Sequence, residues 1–136
     1  MIIKLNTTCS TPIYVQLRNQ IVMGIGRGEL KIGESLPTVR QMAQDIGVNT
    51  LTVQKSYEIL KNEGYIEIDR RHGAKVSPKV DLSGQFREKV ESELTLLISE
   101  SSLKGMSRDE FINLCSNVYS GLKISYNEPI ITEGAV

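Results

Sequence analysis

Apolar residues recur every four positions from Ile13 through Leu17 and Ile21 to Ile25, with Gln16 and Gln20 between them. That is the stripe of an amphipathic helix. Thr11-Pro12 reads as its start, a hydroxyl cap followed by Pro at the first helical position, and Gly28 marks its end, with Gly24 and Gly26 weakening the last turn. A connector over 30–35 turns at Gly33. Thr38 and Gln41 then form a capping-box pattern, and Val39, Met42, Ala43 and Ile46 give the next helix its buried stripe. Gly47 ends that helix and Val48 fits as the apolar post behind the turn. Asn49 caps a third helix with apolar positions at Leu51, Val53, Tyr57 and Leu60, stopped by Gly64 in the left-handed conformation. Residues 65–69 and 74–77 alternate around Arg70-Arg71-His72-Gly73, predicting a two-stranded ribbon with a basic tip. Residues 2–6 read as a short strand or an ordered arm.

Pro78 marks a boundary. Over 82–104, Phe86, Val90, Leu94, Leu97 and Ile98 share one face of a helix. Ser107-Arg-Asp-Glu110 is a second capping box, opening a helix with Phe111, Ile112, Cys115, Val118, Tyr119 and Leu122 on one face. Asn127-Glu-Pro129 is expected to end the ordered part. Two amphipathic helices over about 45 residues cannot enclose a core of their own. Their apolar faces are expected to pack on the same pair from a second copy, the rival being a fold-back onto the first half in a monomer. A pocket between them for a small-molecule effector would use Tyr119 and Tyr126, but aromatics at helical spacing are more often core.

The expected fold is therefore mainly α with a small β-ribbon. Residues 1–78 read as a winged helix-turn-helix, two short helices about a tight turn followed by a ribbon, and residues 79–136 as a two-helix dimerisation domain with a loose tail.

Composition narrows the class. A chain of 136 residues suits one ordinary domain or two small ones, and 40% hydrophobic with 24% charged residues is the soluble globular range. No apolar run approaches the roughly 18 residues that span a bilayer. The start, Met-Ile-Ile-Lys-Leu, lacks an apolar signal segment and small-residue cleavage site, so a cytoplasmic protein is expected. Cys9 and Cys115 have no CxxC partner and read as reduced thiols, Cys115 in the core. A lone histidine, His72, builds no metal site. No metal, cofactor or enzyme is expected, because no metal-ligand cluster, phosphate loop or nucleophile–base pair is visible.

Net charge is zero, which by itself argues against a nucleic-acid partner. Its distribution reverses that inference. Residues 1–78 carry ten Lys/Arg against seven Asp/Glu, a balance of +3, and residues 79–136 carry six against nine, a balance of −3. Position then matters more than the total. A helix that reads DNA needs short polar side chains on its exposed first turn, because that end meets the base edges. Asn49, Thr50, Thr52, Gln54 and Lys55 meet that need, although Asn49 alone reads as a helix cap. Arg40 sits one turn into the preceding helix near its positive end, a place poor for helix stability and suited to phosphate or base edge. Its plain alternative is a surface pair with Asp45 or Glu34. Arg70, Arg71, His72 and Lys75 give the ribbon a tip that phosphates and a narrow minor groove attract.

These residues carry a resemblance. The run Pro12-Ile-Tyr-x-Gln16, Gly28-x-Leu-x-x-Gly33-x-x-Leu-Pro37-x-x-Arg40, Gly47-Val, Thr52-Val53, Tyr57-x-x-Leu60 and Glu63-Gly64-x-Ile66 resembles the GntR family of bacterial transcriptional regulators over residues 12–78. The short two-helix tail is similar to its YtrA-like subfamily. The resemblance implies a homodimer on double-stranded DNA at an inverted-repeat operator, a repressor role, and genes of ATP-driven (ABC) transporters as targets. It implies DNA contact by Arg40 on the second helix, Thr52 on the recognition helix and Gly73 as the second Gly of the wing. The chain departs from the pattern at Thr50, where many members have Arg, at Arg71 in place of the first wing Gly, and at Lys75 in place of Phe. A winged-helix module that binds protein instead of DNA is the competing reading. It predicts an apolar patch on the third helix, where the positions expected to be exposed are polar.

Overall fold

The structure is a computed structural model that describes residues 3–78 and 84–122. Five helices and a two-stranded antiparallel sheet follow in the order α1 (Ile13–Gly26), α2 (Val39–Ile46), α3 (Thr50–Asn62), β1 (Ile66–Asp69), β2 (Gly73–Val76), α4 (Gly84–Leu103) and α5 (Arg108–Ser120). The expected mainly-α fold with a small ribbon is the observed one.

α1 starts one residue later than its signal, with Pro12 at the cap position and no side-chain cap bond. The Thr11 hydroxyl is not the cap; instead the Gln16 amide donates to the Thr11 carbonyl at 2.8 Å. Gln16 also accepts from the Asn6 N–H at 2.8 Å and donates to the Asn6 carbonyl at 2.9 Å. Gln20, one turn on, makes the same pair with the backbone of Lys4. Two side-chain amides thus hold the leading segment as an arm along α1, and of the two readings of residues 2–6 the arm is observed over the described ones.

The core is built from Leu17 and Ile21 of α1, Leu30, Leu36, Met42 and Ala43, the α3 residues Val53, Tyr57 and Leu60, and Ile66, Ala74 and Val76 of the ribbon. Val39, Ile46 and Val48 close it from α2 and the turn. Ser56, with no exposed surface, lets α3 approach α1, and its hydroxyl donates to the Tyr14 carbonyl at 2.7 Å. Arg18 of α1 clamps the end of α3, donating from Nε and Nη2 to the two Glu63 oxygens at 2.9 and 3.1 Å while its guanidinium lies 5.4 Å from the Tyr65 ring centre.

The ribbon registers Ile66 opposite Val76 and Asp69 opposite Gly73. Its attachment to the body is a pairing the sequence pattern did not reveal: Ser35 bridges Lys75, the Val76 N–H donates to the Glu34 carbonyl at 2.9 Å, and the Leu36 N–H donates to the Ala74 carbonyl at 2.8 Å. The connector thus acts as a third strand on the outer edge of β2.

Two expectations are corrected, those for Leu51 and Cys115. Leu51 is not a core position of α3 but is 69% exposed, because the buried stripe runs through Val53, Ser56, Tyr57 and Leu60. Ile68 is exposed because the ribbon projects beyond the body that covers Ile66. Cys115 is half-buried instead of core, since α5 packs mainly on α4 among the described residues and neither helix has a buried residue.

α4 and α5 form a hairpin that turns at Gly105 with φ +96°. Ser107 caps α5, accepting from the Glu110 N–H at 3.1 Å, and Asp109 and Glu110 face the positive end of the helix. Phe86, Val90, Leu94, Leu97 and Ile98 of α4, with Val118 and Tyr119 of α5, are exposed, while Phe111 and Leu122 are half-buried. Tyr119 is 73% exposed, so it is not a core residue of the described hairpin. Tyr126 and the Asn127–Pro129 stop lie outside the described residues. Among the described residues no helix is long and apolar enough to cross a membrane.

Candidate nucleic-acid interface

The turn between α2 and α3 sets the site. The Thr38 hydroxyl accepts from the Gln41 N–H at 3.1 Å and starts α2, fixing Arg40 in the first turn. Gln41 does not complete the box by reaching back; its amide donates to Asp45 at 2.7 Å. Gly47 ends the helix at φ +70°, a left-handed conformation costly for residues with a Cβ. The chain reverses there, and the Val48 N–H donates to the Ala43 carbonyl at 3.0 Å. Asn49 then caps α3, its Oδ1 accepting from the Leu51 N–H at 2.8 Å. Asn49 keeps its amide NH2 for an outside partner, so the cap and contact readings are compatible.

Arg40 and Thr50 line one shallow concavity together with Ala43, Gln44, Gly47 and Val48. Arg40 is exposed and forms no ion pair among the described residues. The alternative pairing with Asp45 or Glu34 is not made, because Asp45 is taken by Gln41 and Glu34 accepts from the Lys31 N–H at 3.3 Å. Gln54 and Lys55 are exposed on α3, whereas Thr52 is half-buried on its flank. Lys55 is not loose. Its ammonium lies 3.9 Å from the Tyr14 ring centre, a cation–π contact that holds it beside the N-terminal turn of α1.

At the wing, Asp69 organises the tip. Its Oδ1 accepts from the Arg71 N–H at 2.8 Å and Oδ2 lies 3.0 Å from His72 Nδ1. The Arg71 N–H, then His72, hold the Asp69 carboxyl below its ordinary pKa. Gly73, at φ +70°, closes the turn. The wing therefore reaches a defined turn without the first Gly of the family pattern, and His72 is engaged by Asp69. Arg70 and Arg71 extend their side chains into solvent, while Lys75 is half-buried opposite Glu67.

The structure adds residues that the sequence reading passed over. Gln44 lies one turn after Arg40 on the same exposed side, a signal legible in the i, i+4 spacing. Asp69 two residues before Arg71 is the spacing of an Asx turn. Tyr14 had no signal, because its contact with Lys55 spans two helices distant in sequence.

Residues 13–76 match the family described as bacterial regulatory proteins, gntR family. The HTH-type transcriptional repressor YtrA of Bacillus subtilis is 30% identical over 123 residues, covering 89% of this chain and 95% of that protein. This chain belongs to the GntR family. Among solved structures, YtrA from Sulfolobus acidocaldarius, a GntR-family transcription factor, is 35% identical with a TM-score of 0.63, covering 73% of this chain and 99% of that one. A transcriptional antiterminator from Listeria monocytogenes is 26% identical with a TM-score of 0.78, covering 87% of this chain and 90% of that one. The similarity thus extends past the winged helix into the two helices that follow, as expected of the YtrA-like subfamily. A GntR-family chain is a transcriptional regulator of the winged helix-turn-helix type, and the α2–α3 turn with its wing is where such a fold meets DNA.

Proposed function

We propose that this protein is a cytoplasmic homodimeric repressor that binds an inverted-repeat operator. Residues 1–78 form its DNA-binding domain and 79–136 its dimerisation domain. The observation that carries the reading is Arg40, exposed and without an ion pair among the described residues, in one concavity with Thr50 at the capped start of α3. Arg40, Asn49, Thr50, Thr52, Gln54 and Lys55 are the contacts from the helix pair, and Arg70, Arg71, His72, Gly73 and Lys75 those from the wing.

Dimerisation is supported by the apolar face that α4 and α5 leave uncovered. Phe86, Val90, Leu94, Leu97 and Ile98, with Val118 and Tyr119, are exposed, and Phe111, Cys115 and Leu122 are half-buried; none of them is buried in a core. A second copy paired on this face by two-fold symmetry brings two recognition helices to half-sites about one DNA turn apart. The repressor sign is supported by the printed role of the Bacillus subtilis relative, and an ABC-transporter operon is the target that the family resemblance suggests.

The test is to select bound fragments from the source genome with the full chain and measure affinity for the enriched site. Arg40→Ala and Thr52→Ala are expected to lose that binding while remaining dimeric. Normal binding by both variants, or no preference over random DNA, removes the assignment.

A further inference from the structure

Leu51 is the one exposed residue of the first turn of α3 that has no polar group on its side chain. At about 100° per residue, it lies directly opposite the buried stripe of Val53, Ser56, Tyr57 and Leu60, at the crest of the helix. Thr50, Gln54 and Lys55 flank it, all exposed. Its backbone is fixed by the bond from its own N–H to Asn49 Oδ1, so the crest position belongs to a built cap and not to a frayed end. The stripe of α3 needs no leucine there; the core is closed without it.

We infer that Leu51 reads a thymine by its C5-methyl group in the major groove. This rests on the DNA-binding reading above and extends it from contact to specificity. Around Leu51 the N-terminal end of α3 is otherwise polar, with Lys55 its one charged side chain there, so the occupant is a groove edge, not an apolar protein surface. The thymine methyl is the apolar feature that base edges offer there. A leucine makes no hydrogen bond, so against cytosine or guanine it covers a polar group without replacing its partner. It therefore selects thymine by two effects, burial of one methyl and exclusion of unpaired donors and acceptors. Glu58, two turns further along the same crest, is exposed and repels phosphate, which confines the reading to the N-terminal end of α3.

The experiment uses the full chain. Binding sites are first enriched from a random duplex library, and each thymine of the enriched half-site is then replaced by deoxyuridine, which removes the methyl alone. One position per half-site is expected to lose affinity about fourfold, the weight of one buried methyl-sized group. Leu51→Ala, a surface change that leaves the core untouched, is expected to bind the thymine and deoxyuridine duplexes equally at that position while keeping the salt dependence of the wild type. Leu51→Asn is expected to enrich a different base there. Deoxyuridine neutral at every position, or a penalty that persists in Leu51→Ala, overturns the assignment of Leu51 while leaving DNA binding intact. Failure of the wild type to enrich any sequence overturns the DNA reading and this inference with it.

Discussion

Replacing Tyr57 by Phe isolates one hydrogen bond from α3 to the segment that leads into α2. Tyr57 is 3% exposed in α3, and its hydroxyl donates at 2.7 Å to the Pro37 carbonyl, next to the Thr38 cap of α2. Burial pushes its phenol well above the ordinary pKa, so the group is a neutral donor at any working pH. Phe keeps the ring in the core and removes the donor only, leaving the part-buried Pro37 carbonyl without its protein partner. Losing a part-buried hydrogen bond of this kind costs about 0.5–1.5 kcal/mol, and the missing oxygen adds only a small cavity term. For a domain of this size each kcal/mol lowers the melting temperature by about 4–8 °C. Urea unfolding followed by far-UV circular dichroism is the assay, with an unchanged slope and a lower midpoint expected. A loss under about 0.5 kcal/mol, below the usual net value of a single hydrogen bond, would refute the claim that this bond ties α3 to the segment that leads into α2.

The other predictions concern the clamp, the pairing face and the wing. Arg18→Ala is expected to cost about 0.5–1.5 kcal/mol, above an ordinary surface pair because the fork is bidentate and partly covered; a double-mutant cycle with Glu63→Ala reading no coupling contradicts it. Leu94→Asp places a charge in the uncovered face of α4 and is expected to give monomers in sedimentation velocity and to weaken operator binding at least tenfold, whereas an unchanged dimer removes the pairing face. The Asp69 carboxyl is held below its ordinary pKa in the folded chain, so the brace on Arg71 is complete above the unfolded-chain value and is lost as pH falls through the lower folded one. The Arg71 amide chemical shift is therefore expected to titrate with a midpoint below that of free aspartate, and a midpoint at or above it contradicts the brace. Gly47→Ala meets no atom within 4 Å, so its expected loss of about 1–2 kcal/mol comes from the left-handed backbone alone; a neutral effect in urea unfolding contradicts that.

The helices were legible because their stripes and stops are local. Ile13 to Ile25, the Thr38 cap, Gly47 and Asn49 declare themselves within a few residues, and the observed elements start and stop within a residue or two of those signals. Leu51 misled because three of its apolar neighbours on α3 do enter the core, and only the angle between position 51 and that stripe separates it from them. Pairing of the connector with β2 was not legible, since Ser35 and Lys75 are joined by backbone bonds that leave no side-chain pattern. The candidate contacts followed from residue type at a capped helix start, but their partners did not. Lys55 on Tyr14 and Tyr57 on Pro37 are contacts between segments that only the folded chain brings together.

The salt dependence of binding to the enriched duplex tests the account most directly. Arg40, Lys55, Arg70, Arg71 and Lys75 give each protomer five cations on the α2–α3 turn and wing, and a dimer twice that number. If between half and all of them displace counterions, log K falls against log salt with a slope of about −5 to −9. Arg40→Ala is expected to make the slope shallower by about 2, one phosphate per protomer. A slope near zero, or an Arg40→Ala slope identical to the wild type, would contradict the assignment of this face to DNA.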